Sequence, residues 1–169
     1  MILPPAFTSK NNIHVIIETP RGSRNKYNFH EETGLFFLKK VLPLGLSFPL
    51  DFGFIPHTRA EDKDPMDALV FMEESGFPGC LVECRVIGII TAEQKKDTKK
   101  IRNDRVLAIA TESKAHAEMQ DISDVSKELL EDVMRFFESY HEREGDQFKA
   151  LAIEKTEEAI KQIKKNLES

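Results

Sequence analysis

From residue 12 to residue 41 the chain repeats with a period of two, and this limits what it can fold into more than any other feature. Ile13, Val15 and Ile17 fall on one face of an extended segment and His14, Ile16 and Glu18 on the other, before Pro20-Arg21-Gly22-Ser23 supplies a turn. A second strand over Asn25 to His30 sets Lys26 and Asn28 opposite Tyr27 and Phe29. After a turn at Glu32-Thr33-Gly34, a third runs from Leu35 to Val41 and carries Lys39 and Lys40 near its end. Residues 42 to 57 then hold Pro43, Gly45, Pro49, Gly53 and Pro56, which rule out a long helix. With Phe48, Phe52 and Phe54 that segment reads as an ordered, aromatic-packed connection with short extended pieces.

The run Ala68-Leu69-Val70-Phe71-Met72 is too short for an independent helix and is flanked by turn formers, so it reads as a buried strand. Another strand runs from Cys80 to about Ile90, and Val106 to Ala110 forms one more. Between them, residues 91 to 105 are polar and mostly basic, as in a solvated hairpin loop. The period changes near Ser123. Leu129, Leu130, Val133, Met134, Phe137 and Tyr140 share one face of a helix that the 121–126 cluster caps. After Glu144-Gly145-Asp146 a last helix is marked by Ile153, Ala159, Ile160, Ile163 and Leu167, with Glu157 and Lys161 spaced as a supporting pair. Strands followed by helices predict an α+β fold, mainly β: a small antiparallel barrel with two C-terminal helices packed outside.

A length of 169 residues predicts one domain spanning 1–169 with a sizeable core. A net charge of −5 argues against a nucleic-acid partner. No apolar run approaches about 18 residues, so no membrane span is expected. The N-terminus lacks the basic region and apolar core of a signal peptide, which predicts a cytoplasmic protein. Cys80 and Cys84, the only cysteines, lie four apart on a strand, roughly 13 Å, too far for a disulfide. They read as two small buried side chains, since no further cysteine or nearby histidine completes a zinc set.

The chemistry concentrates in Glu61-Asp62-Lys63-Asp64-Pro65-Met66-Asp67. Three carboxylates at 62, 64 and 67 flank a proline that fixes its own φ and biases Asp64 towards an extended form. Oxygen ligands on a rigid strand-entry turn suit Mg²⁺ or Mn²⁺, although turns of this composition are more often plain acidic surface. If the strands form a barrel, their polar faces gather Glu18, Lys26, Lys40, the three aspartates and groups of the 93–105 loop. Carboxylates together with lysines suit a metal–phosphate complex.

The segment Asp62 to Asp67 resembles the D-x-D-P-x-D motif of soluble family I inorganic pyrophosphatases. Counterparts follow in order: Ile16-Ile17-Glu18-Thr19-Pro20, Asn25-Lys26-Tyr27, Gly34-Leu35-Phe36, Phe48-Pro49, Phe52-Gly53-Phe54-Ile55-Pro56-His57-Thr58 and Phe136-Phe137-Glu138-Ser139-Tyr140. The resemblance covers about residues 12 to 150 and implies an OB-like five-stranded barrel and Mg²⁺-dependent hydrolysis of pyrophosphate, with Mn²⁺ as a second possible cofactor. It implies Asp62 and Asp67 as metal ligands and Asp64 as acceptor of the water proton. Glu18, Lys26, Lys40, Arg105, Tyr140 and His141 would bind substrate, and Asn28 and Phe52 would line the pocket. It also implies a homo-oligomer, commonly a hexamer.

Several positions depart from the family pattern. Asn28 stands for Glu, Lys40 for Arg, Phe52 for Tyr and His141 for Lys. Glu93-Gln94 takes the place of an Asp-Glu pair, and Asn103-Asp104-Arg105 that of Asp-x-Lys, which puts Glu93 and Asn103 at the remaining metal positions. These departures keep other readings open: a catalytically weakened member that binds phosphate or a protein partner, or a hydrolase of another phosphoanhydride or phosphoester.

Overall fold

A computed structural model of the chain describes residues 2–168. Nine strands, β1 (Asn12–Thr19), β2 (Asn25–His30), β3 (Leu35–Val41), β4 (Asp51–Phe54), β5 (Asp67–Phe71), β6 (Leu81–Lys96), β7 (Lys99–Arg102), β8 (Arg105–Ala110) and β9 (Gln147–Lys155), accompany two helices, α1 (Lys127–Glu142) and α2 (Thr156–Lys165). Pairing runs from β1 to β4, β5, β8 and β6, and β6 pairs back with β1, so five strands make a strongly curled, barrel-like sheet. β7 and β9 extend the sheet from β6, while β2 and β3 form a separate two-stranded ribbon.

One pair departs from the expected antiparallel barrel: β5 and β8 run parallel. The reason is arithmetic, since an odd number of strands paired in a ring cannot alternate direction throughout. The parallel pair is the most deeply covered part of the sheet. Leu69, Phe71, Leu107 and Ile109 pack in a core with Phe136, Phe137 and Tyr140 of α1. Ala68, Val70, Val106 and Ala108 pack in a second core with Ala159, Ile160 and Ile163 of α2. Strands buried on both faces read as continuous apolar runs, which is why β5 and β8 lack the alternation of β1.

The second departure is at the C-terminus. Residues 147–155 form β9 along β6, and helix begins only at Thr156. Lys, Ala, Leu and Glu favour helix locally, but the unpaired edge of β6 offers a complete ladder, and tertiary pairing overrides propensity. Within α2, Lys161 pairs with Glu158 at 3.3 Å rather than with Glu157. α1 begins where the capping cluster predicts, with Ser126 accepting from the Leu129 N–H. Cys84 is buried and Cys80 partly so, and both are free thiols.

Two irregularities aim side chains at one end of the barrel. Between Ile17 and Thr19 the β1–β4 register slips, so Glu18 is the extra residue of a β-bulge. The approach there is so close that a Cβ on Gly53 would lie 2.2 Å from the Ile16 carbonyl oxygen. A second slip, between Lys26 and Tyr27, makes Lys39 the extra residue of β3.

Candidate active site

Both bulges open on a cavity of about 630 Å³ at the end of the barrel. Twelve of the thirteen residues singled out from sequence line it: Glu18, Lys26, Asn28, Lys40, Phe52, Asp62, Asp64, Asp67, Asn103, Arg105, Tyr140 and His141. Glu93 is the exception. Successive strand residues point to opposite faces, and Glu93 turns to Lys100 across the β6–β7 hairpin, Nζ to Oε2 3.7 Å, while Gln94 faces the cavity. Parity with Ile90 and Ala92, which face the α1 core, carries the signal for Gln94. Lys39, Glu144 and Asp146 also line the cavity and escaped the sequence reading, Lys39 because a regular strand would have put it opposite Lys40.

The acidic lip is the turn between β4 and β5. Lys63 adopts a left-handed backbone, φ 72°, and this reversal lets Asp62 and Asp64 both face the cavity. Thr58 braces the turn, donating to the Ile55 carbonyl at 2.6 Å and accepting the Met66 N–H at 2.9 Å. Asp64 lends its N–H to Asp62 Oδ1 at 3.1 Å. Its own carboxylate is exposed, with no hydrogen bond or ion pair among the described residues. Burial, reinforced by the charges of Asp67 and Asp64, raises Asp62 to about 6. Burial likewise raises Asp67, against the pull of Arg105 and Lys26. Burial, more than repulsion between the carboxylates, is what makes the charged forms of Asp62 and Asp67 costly here.

The other walls are basic and aromatic. The β5–β8 register sets Asp67 beside Arg105, and Nη1 reaches Oδ2 at 3.1 Å. The Arg105 guanidinium lies over the rings of Phe137 and Phe148, at 4.9 and 5.2 Å. Lys26 Nζ lies 5.4 Å from the ring centres of both Phe52 and Tyr140, and burial brings its pKa down to about 8. Lys40 stands over Tyr140 at 4.9 Å, and its ammonium is held by both oxygens of Glu144 at 2.5 Å. Glu18 accepts the Phe29 N–H at 2.7 Å, yet burial raises it to about 7. His141, stacked on Phe148, is brought down to about 3 by burial and by Arg105, Lys26 and Lys40, so it is neutral at physiological pH.

The buried atoms Asn28 Oδ1, Arg105 Nε, Tyr140 Oη and both ring nitrogens of His141 have no hydrogen-bond partner among the described residues. Each such vacancy costs about 1–3 kcal/mol, so their gathering around one cavity marks a place built for a polar ligand. No three His, Cys, Asp or Glu side chains among the described residues converge tightly enough to enclose a cation. Mg²⁺-like ions take one or two carboxylates and complete their shell with water and phosphate oxygens, and Asp62, Asp64 and Asp67 line the cavity with carboxylates of that kind.

A curled OB-like barrel whose open end joins a hard-oxygen lip to a cluster of cations has side chains of the kind that can take a metal–phosphate complex. The family is given by comparison: residues 15–169 match the family model described as inorganic pyrophosphatase, and this chain belongs to the inorganic pyrophosphatases of family I. The inorganic pyrophosphatase of Corynebacterium efficiens is 42% identical over 133 residues, 79% of this chain and 81% of that one. That of Thermus thermophilus is 37% identical over 151 residues, 89% and 84% of the two chains. The crystal structure of inorganic pyrophosphatase from Thermus thermophilus superposes with a TM-score of 0.87, covering 96% of this chain and 92% of that one at 33% identity.

Proposed function

We propose that this chain hydrolyses inorganic pyrophosphate to two phosphates with Mg²⁺ as the preferred divalent cation, and that residues 1–169 act as one pyrophosphatase-like domain. The observation that carries the reading is the meeting, in one cavity, of the Asp62–Asp64–Asp67 lip with Lys26, Lys40 and Arg105 and with orphaned buried polar atoms. Cations held by Asp62 and Asp67 would supply neutralisation of phosphate oxygens and acidification of the attacking water.

The residues do the rest. Asp64, the free carboxylate of the lip, takes the proton as the water oxygen bonds to one phosphorus and the bridging P–O bond breaks. The leaving phosphate takes the electron pair of that bond, and Lys26, Lys40 and Arg105 meet its growing charge. Tyr140 offers a hydroxyl donor, and neutral His141 one N–H and one lone pair. Purified protein should release phosphate from pyrophosphate at millimolar Mg²⁺, and Asp67→Asn should lower kcat at least ~10³-fold, about 4 kcal/mol of transition-state stabilisation. Absence of release would overturn the reading, and pyrophosphate binding without turnover would point to a weakened binder instead.

The exposed apolar side chains of β3, Leu35, Phe37, Leu38 and Val41, together with Leu44, support a homo-oligomer, a hexamer by family resemblance. Sedimentation at micromolar concentration tests it, and a monomer would remove it. No described helix is long and apolar enough to cross a membrane, both cysteines are free thiols and the net charge is −5. These features support a cytoplasmic enzyme that uses neither membrane nor nucleic acid.

A further inference from the structure

The wall facing the acidic lip, made by the end of β6 and the start of β8, contains an unbroken hydrogen-bonded relay. Gln94 Nε2 donates to Asp146 Oδ2 at 2.9 Å. Gln94 Oε1 accepts from Asn103 Nδ2 at 2.6 Å, and Asn103 Oδ1 accepts from Arg105 Nη1 at 2.5 Å. The same nitrogen also meets the Asn103 carbonyl at 2.7 Å and the Asp67 carboxylate at 3.1 Å.

Both amide oxygens of this wall are therefore committed to donors within the protein. They are neutral, and the one nearer the acidic lip is held by a guanidinium that is only 3% exposed. A divalent cation seeks anionic oxygen, and neutral amide oxygens already committed to donors offer it none. The donor set at Gln94 and Asn103 does not fit a metal ion. It does fit a guanidinium, whose planar fork the amides can lock in rotation while Phe137 and Phe148 fix its plane.

We propose that the Gln94–Asn103 amide pair is a positioning device that locks Arg105 as a built-in organic cation for the substrate's phosphate, so that this wall binds no divalent metal and cation binding is confined to the acidic lip. The proposal rests on the phosphate-binding reading of the cavity. In it Arg105 touches substrate, while Gln94 and Asn103 act through Arg105.

Two measurements test it. The first counts Mn²⁺ bound to the substrate-free full-length protein by electron paramagnetic resonance, which needs no turnover and so stands even if pyrophosphate is not hydrolysed. Asn103→Ala and Gln94→Ala should leave the count unchanged, Asp67→Asn should lower it, and Asn103→Asp with Gln94→Asp should add at least one ion. Loss of an ion in either alanine variant would overturn the cation-free wall.

The second measures pyrophosphate affinity by calorimetry. Asn103→Ala, Gln94→Ala and Arg105→Ala should each weaken binding, about tenfold for Arg105. The Asn103→Ala/Arg105→Ala double variant should bind no worse than Arg105→Ala alone, because the amide acts only through the arginine. Effects that add in the double variant would overturn the positioning role. Gln94, which is only half-buried, keeps the test readable if Asn103→Ala folds poorly.

Discussion

The groups that face the cavity stand on two supports of unlike stiffness. Glu18, Asp67, Asn103 and Arg105 rise from or flank the barrel strands β1, β5 and β8, whose ladders join neighbours on both sides. Lys26, Lys39 and Lys40 stand on the β2–β3 ribbon, which belongs to no larger sheet. The ribbon hangs from the bulged end of β1. The Thr19 hydroxyl donates to the Tyr27 carbonyl at 3.1 Å and accepts the Tyr27 N–H at 3.0 Å, and Glu18 holds the Phe29 N–H. A two-stranded ribbon is marginal by itself, so these few bonds and the stacking of Phe29 on Phe54 at 5.5 Å set its position. Acid and amide geometry is thus built into the fold, whereas the lysines approach on an arm.

If that contrast holds, changes on the barrel side alter stability as well as activity, and changes on the arm alter substrate affinity alone. The largest expected effect is at Gly53, where Gly53→Ala forces β1 and β4 apart against a backbone oxygen 2.2 Å from the new Cβ. It should destabilise by more than about 4 kcal/mol in urea denaturation. Arg105→Met comes next, because it leaves Asp67 without its ion pair. A loss of about 3 kcal/mol is expected at neutral pH, and an unchanged midpoint would break the contrast.

Glu18→Gln sharpens it through pH. The folded state holds the Glu18 proton more tightly than the unfolded chain, about 7 against 4.5, so wild-type stability falls as pH rises through that interval and stays lower above it. The amide has no proton to lose and still accepts from Phe29. The variant should therefore be more stable than wild type by about 3 kcal/mol at pH 8, with no gain at pH 4. A gain equal at both values would show that burial of charge is not the cause.

The smallest effects belong to the arm. Lys40→Ala should raise KM about tenfold with a stability change under about 1 kcal/mol, as for a partly exposed ion pair. Glu144→Gln frees Lys40 from an internal carboxylate and should lower KM roughly threefold. A rise in KM would mean that Glu144 orients Lys40 for substrate rather than competing with it.

Much of this was legible in the chain. β1, β2 and β3 fall where the period-two patterns and the turns between them place strands, although β1 is buried on both faces from Val15 on and β3 leaves Leu35, Phe37 and Leu38 exposed; α1 follows its apolar face and its Ser126 cap. The Asp62–Asp67 turn and most of its facing partners could be gathered from residue types on strands. What stayed hidden depends on pairing. Nothing in residues 147–155 announces that β6 lacks a neighbour there, so good helix formers conceal a strand. Bulges have no local signal either, and the extra residue in β3 is what turns Lys39 towards the cavity. The choice between Glu93 and Gln94 hung on strand parity alone. A shift of one residue exchanges a carboxylate that faces Lys100 for an amide that holds Asn103.

The pairing of β1 with β6 also sets a timetable. Ile13 lies opposite Cys84 and Val15 opposite Val82, so the first strand made is joined to one that leaves the ribosome about 70 residues later. At roughly 5–20 residues per second, β1 spends several seconds with that edge open, while β4 can cover only its other edge. Ring closure at this seam is thus a long-range event that cannot begin until about half of the chain has been made. The nascent chain is most exposed to mispairing with another copy before residue 85 is out.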